Sequence, residues 1–377
     1  MNSLYLIIIL KLKGKKHMKT FEFNSFEEAY PQLLKTLMDE GAEVSPRGML
    51  TKEIAPVGIT INNPKKRVIS HKDRKNNYGF MVAELLWMLR KSNDVEEIGH
   101  YNRQWFKFSD DGKTLNGAYG QRIFDWDGMF DIWQETQFDE HGNPNTTFEC
   151  EHIVINQFEK AYEQLKADPD TRQATIVLFN PVQDYRETKD KPCTNLIRFM
   201  IRNGKLNMTV FMRSNDIILG FPYDIYNFTM MQEIMAGKLG IEVGKYTHIA
   251  DSLHIYEMHF EMANQIINSE NSNLYDDKYV LADYRLSNED LNEELKKVMD
   301  IEAVTRLQSE IIKIDIVEKM LKEINSESWK SLAAVIATYN FRKSCREQSE
   351  LDKLKTYITN EFARIPELQN WQPLNKK

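Results

Sequence analysis

The sequence predicts a mixed α/β (α+β) fold, with a large mixed β-sheet packed by helices and a helical extension at the C-terminus. Three observations predict it. Runs of β-like alternation (174–181, 194–214, 246–259) are interleaved with segments of helical period (25–41, 78–99, 224–240). Arg202-Asn203-Gly204-Lys205 links two halves of one such run, and Asn-Gly suits the positive φ values of a tight hairpin turn. Beyond about residue 285 the chain becomes charged, helical in period and poor in glycine and proline.

The elements follow in chain order. The apolar run Leu4 to Leu10 is too short to span a bilayer. It has no positive charge before it and no small-residue cleavage site after it. Residues 1–17, ahead of Met18, are expected to be an upstream or dispensable tail; a short strand is the alternative. Phe26, Tyr30, Leu33, Leu34 and Leu37 fall on one face of a helix over 25–41, stopped by Gly41. "VGITINNP" reads as a strand ending in a turn. Residues 78–99 read as one strongly apolar helix, and 146–173 holds another, ended by Asp168-Pro169-Asp170. Strands are expected in the three alternating runs, and an amphipathic helix over 224–240 ends in glycine. The organisation expected is a tail (1–17), an α/β catalytic domain (18–285) and a helical extension (286–377), without repeats or low-complexity tracts.

A chain of 377 residues with 42% hydrophobic content can bury a large core. Its 49 basic and 56 acidic side chains leave a net charge of −7. That balance argues against direct nucleic-acid binding and against an acidic membrane as partner, so phosphate recognition has to be local. The three cysteines (150, 193, 345) form no CxxC pair, which argues against a disulfide framework or a thiolate zinc site and for a reducing cytoplasm. His248, His254 and His259 match no common ligand spacing, and no metal is expected.

Cys193, in "DKPCTNLIRF", would by position alone read as an inert buried thiol. Its setting says more. Upstream stand "AELLWML", "WFKFSDDGKTLNGAYGQRI" and "DPDTRQ"; downstream stand "MRSNDIILGFPYDIYNF", "GKYTH" and "DSLHIYEMH". Together and in this order, over roughly residues 40–260, they resemble the thymidylate synthase family. The resemblance implies a thymidylate synthase-like fold and a homodimer. It implies a pyrimidine nucleoside monophosphate as substrate and 5,10-methylenetetrahydrofolate as co-substrate.

The residues suit that chemistry. A thiolate adding to carbon 6 of a pyrimidine makes carbon 5 nucleophilic, but a free thiol with pKa near ~8.5 is only a few per cent ionised at neutral pH. A nearby cation such as Arg213 raises that fraction. Arginine forks suit phosphate. By resemblance Arg47, Arg172, Arg213 and Ser214 hold the nucleotide phosphate, Arg172 reaching across from the second subunit. Gln173 stands where the family usually has a further arginine. Glu84 interrupts an apolar helix, where an unpaired carboxylate is costly. By resemblance Glu84 and Tyr119 order water and protons near the base, and Trp105 and Asp216 contact the folate. His254 and Tyr256 flank Ile255, so on a strand they face one side; by resemblance they hold the sugar 3′-hydroxyl.

Three departures shape the expected activity. Asp224 stands where the synthases carry asparagine. A carboxyl there is expected to read and protonate cytosine, and the alternative is that it only caps the helix beginning at Ile225. Within the family, aspartate here resembles the phage deoxycytidylate hydroxymethylases. Thr194 and Asn195, not histidine, follow the cysteine. A charged extension stands in place of the short apolar closing tail, which favours addition of water over reduction. The activity expected is therefore hydroxymethylation of deoxycytidylate through a covalent Cys193 adduct, in the host cytoplasm if the chain is phage-encoded. The alternatives are a deoxycytidylate methylase, a deoxyuridylate hydroxymethylase and a thymidylate synthase. A non-enzymatic alternative is an inactive nucleotide-binding subunit whose extension docks onto another protein.

Overall fold

The computed structural model describes residues 18–269, 274–276 and 278–374; the expected tail, 1–17, lies outside the described residues. Strand β1 (Lys19–Phe23) leads into helix α1 (Phe26–Glu40), which Ser25 caps by accepting a bond from Glu28 N–H at 3.1 Å. Strands β2 (Ala42–Val44), β3 (Thr51–Ile54) and β4 (Val57–Ile61) follow. The helix expected over 78–99 is two helices, α2 (Tyr78–Leu89) and α3 (Val95–Tyr101). The break has a local cause: Lys91 takes φ 63°, and Asp94 starts a new helix by accepting from Glu96 N–H at 2.7 Å. After α4 (Tyr119–Phe124) comes a long hairpin, β5 (Trp126–Phe138) and β6 (Pro144–Ile155), not expected from sequence. Among the described residues its strands pair only with each other.

Helix α5 (Gln157–Ala167), strand β7 (Thr175–Val177) and the short α6 (Pro181–Asp184) lead to the strand pair β8 (Thr194–Arg202) and β9 (Lys205–Met212). The Asn203-Gly204 turn joins them with φ 53° and 70°. Strand β10 (Asn215–Asp216) precedes the central helix α7 (Phe221–Leu239). Helix α7 is buried on nearly every side, as a helix apolar all round must be. The run 246–259 divides between two sheets, as β11 (Glu242–Ala250) and β12 (Leu253–Tyr256), before α8 (Phe260–Asn268).

Among the described residues the strands form a mixed six-stranded sheet in the order β1-β4-β11-β9-β8-β7 and a four-stranded sheet β10-β12-β3-β2. The extension is helical: α9 (Asn288–Gln308), α10 (Ile314–Lys322), α11 (Glu327–Lys343), α12 (Gln348–Lys355) and α13 (Pro366–Gln369). It shares one apolar core with the sheets. Helix α11 packs on α9 and α2. At that seam the buried Glu302 accepts from Arg90 at 2.6 Å, from Arg306 at 2.7 Å and from the Tyr101 hydroxyl at 2.8 Å. Three donors compensate the cost of burying its charge. The architecture is thus the mixed sheet, packing helices and C-terminal helical extension that the sequence predicts.

Candidate active site

Cys193 directly precedes β8, and Arg213 directly follows β9. Antiparallel pairing of the two strands sets these residues opposite each other, with Arg213 N–H donating to Cys193 O at 2.9 Å. The guanidinium lies 3.6 Å from the Cys193 Sγ and is held by donations to Pro192 O at 3.1 Å and Lys191 O at 3.0 Å. Burial pushes the Cys193 thiol up; Arg213 and Arg47 draw it down, and Asp224 and Asp190 oppose them. Burial wins, so the cation that the sequence points to does not by itself create a resting thiolate.

Tyr119 begins α4, and its hydroxyl oxygen accepts from Thr194 N–H at 3.1 Å, one residue past the thiol. The next residue, Gly120, lies so close to α2 that a Cβ there would stand 2.2 Å from Met88 O. That close approach sets Tyr119 against the helix bearing Glu84. Burial, then Cys193 and Asp224, push the Tyr119 phenol well up.

Glu84 on α2 accepts from Asn227 Nδ2 at 2.7 Å. Burial, reinforced by Asp224, pushes its carboxyl up to about 8. Asp224 accepts from Asn215 Nδ2 at 2.7 Å, and burial pushes it up to about 7 against that bond. Asp224 does not cap its helix: α7 starts at Phe221, with Gly220 at the cap position, and Asp224 lies within the first turn. Asn215 and Asn227 were not among the residues singled out from sequence. A signal for Asn227 existed, since it follows Asp224 by three positions on one helix and so shares its face.

Strand β10 pairs in parallel with β12, which sets Asp216 beside His254. Asp216 Oδ1 accepts from Ile218 N–H at 2.7 Å and Leu219 N–H at 2.9 Å, while its Oδ2 is buried without a partner among the described residues. That free acceptor fits a ligand N–H, as a folate ring would offer. The rings of His254 and Tyr256 stand 5.3 Å apart at 85°. Trp105 lies on a 3₁₀ turn (Arg103–Lys107), 6.0 Å from Trp87 and 6.5 Å from Phe80. Phe80 in turn meets Tyr223, the neighbour of Asp224, at 4.9 Å. Arg47 is exposed on a turn at φ 55°, and Ser214 is half-buried between Arg213 and Asn215.

The structure does not bring Arg172 to Cys193. Arg172 is exposed, and its carbonyl accepts from Arg198 Nη2 at 2.5 Å. Arg198 is five residues beyond Cys193, or about 16 Å along an extended strand. No cluster of metal-ligating side chains occurs among the described residues. No helix among them is long and apolar enough to cross a membrane.

The deoxyuridylate hydroxymethyltransferase of Bacillus phage SP01 is 40% identical over 242 residues, covering 63% of this chain and 59% of that protein. The deoxyuridylate hydroxymethyltransferase of Pseudomonas phage M6 is 30% identical over 253 residues, covering 66% of this chain and 64% of that protein. The chain thus matches about three fifths of the length of these curated relatives. They overturn the expected deoxycytidylate hydroxymethylase and the resemblance drawn to that branch of the family. The physical reason lies at Asp224. A carboxylate would set a negative oxygen against the uracil carbonyl, but burial favours the protonated carboxyl up to about pH 7. A protonated carboxyl carries one donor and one acceptor in either order, so it meets the N3–H and O4 of uracil as well as the edge of cytosine. Aspartate in place of asparagine therefore does not by itself choose cytosine. The thymidylate synthase family pattern matches residues 28–311, well over half of the sequence and all of the site just described, and the chain belongs to the thymidylate synthase family.

Proposed function

We propose that this protein transfers a one-carbon unit to carbon 5 of deoxyuridylate with addition of water, giving 5-hydroxymethyl-deoxyuridylate. One observation carries the reading. The Cys193 thiol shares its surroundings with two protonatable carboxyls, Asp224 and Glu84, in a chain 40% identical over its matched region to a relative named for this activity.

The Cys193 thiol gives its proton to water as Sγ bonds to carbon 6, and the electron pair of the 5,6 double bond moves through carbon 5 toward O4, where the Asp224 hydroxyl donates. Arg213 stabilises sulfur as it gains and loses charge. 5,10-Methylenetetrahydrofolate supplies carbon at the oxidation level of formaldehyde. Carbon 5 bonds to that carbon as one of its carbon–nitrogen bonds opens, and loss of the carbon-5 proton to water with departure of tetrahydrofolate leaves a methylene on carbon 5. Glu84, held by Asn227, takes a proton from the water that adds to it. Expulsion of the thiolate restores the 5,6 double bond. Asp216 Oδ2 and the Trp105 face form the folate side; His254 and Tyr256 serve the sugar, and Arg47, Arg213 and Ser214 the phosphate.

The active species in this reading is a homodimer in the cytoplasm. Two observations support the dimer. Arg172 lies far along β8 from its own Cys193, and the outward face of the large sheet leaves Thr209, Phe211, Thr247 and Ile249 only half-buried. The free thiols of Cys193 and Cys345 suit a reducing compartment. Incubation with deoxyuridylate or deoxycytidylate and 5,10-methylenetetrahydrofolate, followed by mass analysis, tests the activity. Gain of CH₂O on deoxyuridylate is expected. A methyl product, or product from deoxycytidylate alone, overturns it.

A further inference from the structure

We propose that Asn215 fixes the direction in which the Asp224 carboxyl reads the pyrimidine, making it a specificity-positioning residue. The inference rests on Asp224 facing the base, as in the proposed function. A free carboxylic acid is ambiguous, because its proton sits on either oxygen and it reads uracil and cytosine edges equally. Asn215 removes the ambiguity. Its Nδ2 donates to Asp224 Oδ2 at 2.7 Å, which marks Oδ2 as an acceptor and leaves the proton to Oδ1. Oδ2, with a second lone pair, then accepts from uracil N3–H while Oδ1–H donates to O4. Cytosine needs the opposite order.

The surroundings of Asn215 agree with this role. Its side chain is 3% exposed, and its Oδ1 is buried without a partner among the described residues. A buried unpaired carbonyl is costly. The side chain bears that cost while its amide makes the single bond to Asp224. The backbone keeps it in place: Asn215 N–H donates to Ser252 O at 2.8 Å, and the residue pairs with Leu253 on β12. The charged and titratable groups that face Asp224 are Glu84 from α2, Tyr119 from α4, Cys193 before β8 and Tyr246 from β11. Besides Asn215, no other side chain donates to the Asp224 carboxyl among the described residues.

The test uses the full chain as wild type, Asn215→Ala and Asn215→Ser. For each, kcat/KM is measured with deoxyuridylate and with deoxycytidylate between about pH 6 and 9. Kd for both nucleotides is measured without folate. Loss of one directing bond is expected to narrow the preference between the two nucleotides by roughly 5- to 100-fold. The alkaline limb for the preferred nucleotide should also move to higher pH, because the lost donor favoured the carboxylate. A residue that merely ties β10 to α7 would lower melting temperature and move neither reading. Preference ratios within about twofold of wild type in both variants, in Kd and in kcat/KM, overturn the proposal. If Asn215→Ala does not fold, the Asn215→Ser ratio and its Kd values decide. A wild type that prefers deoxycytidylate overturns the deoxyuridylate reading and the uracil-directed order together; a deoxyuridylate preference that both variants keep overturns the role of Asn215 alone.

Discussion

Cys193 gains its setting from two strand ends that meet, with an arginine clamped 3.6 Å from its sulfur and a carboxyl pair nearby. Cys193→Ser is expected to abolish release of tritium from carbon 5 of the nucleotide, by on the order of 10⁴-fold or more. Nucleotide binding should survive, and Cys345→Ser should change neither. Exchange near the wild-type rate in the Cys193 variant would refute the covalent route. Asp224 supplies a pH signature. Reading uracil needs its protonated form, which is present below its pKa and lost as pH rises through about 7. Asparagine offers a donor and an acceptor at every pH. Asp224→Asn should therefore retain deoxyuridylate turnover and lose the fall near pH 7. A pH–rate profile of kcat/KM checks this, and an unchanged fall near 7 would remove Asp224 from base reading.

At the scale of elements, α2 carries Glu84 and is braced from behind by α11 of the extension. The contact is tight at Gly79, where a Cβ would stand 2.1 Å from the Tyr339 ring. Gly79→Ala offers a helix-propensity gain of about 1 kcal/mol but overpacks the seam by about 1–3 kcal/mol. The second effect is expected to win. Melting temperature should fall by a few degrees, roughly 2–4 °C per kcal/mol in a chain of this order. Removing the ring with Tyr339→Ala in the same chain should recover part of that loss, and thermal melts of the four combinations measure the coupling. Additive effects would mean that α11 does not press on α2 there.

For the whole molecule, the placement of Arg172 makes a mixing experiment decisive. Cys193→Ser and Arg172→Ala subunits should each be poorly active alone. Mixed, they should regain activity, because in the proposed homodimer a hybrid would hold one site with an intact Cys193 and the Arg172 of the other subunit. No recovery on mixing would place Arg172 outside the site. The buried carboxyls also set the response of the whole fold to pH. Burial raises Glu27 to about 7, Glu84 to about 8 and Asp224 to about 7. The folded chain holds protons that the unfolded chain has released, so their contribution is complete below the ordinary carboxylate range and is lost as pH rises through 7 to 8. Glu302 acts in the opposite sense: burial raises it, but Arg90 and Arg306 hold it below its ordinary value, so its contribution is lost in acid. Melting temperature should peak in the mildly acidic range and decline toward pH 8.5, about where all three raised carboxyls have ionised. Glu84→Gln should flatten that decline.

The sequence by itself determined the family to which the chain belongs, while its choice of deoxycytidylate did not hold. Cys193, the separated arginines, Glu84 within an apolar helix and the Asn203-Gly204 turn are local facts of residue type and spacing, and local facts can be read in one dimension. It also determined the alternation of strands and helices, because periodicity is set within a few residues. What escaped it depends on contacts between distant segments. The break between α2 and α3 is partly local, yet the division of 246–259 between two sheets comes from pairing with β9 and β4 on one side and with β10 and β3 on the other. Asn215 and Asn227 mean little until folding brings them to Asp224 and Glu84 at 2.7 Å each. The state of Asp224 is the sharpest case. Its identity is written in the sequence, but its proton is not. Only the tertiary structure, by removing the carboxyl from water and leaving it a single amide donor, pushes it up to about 7.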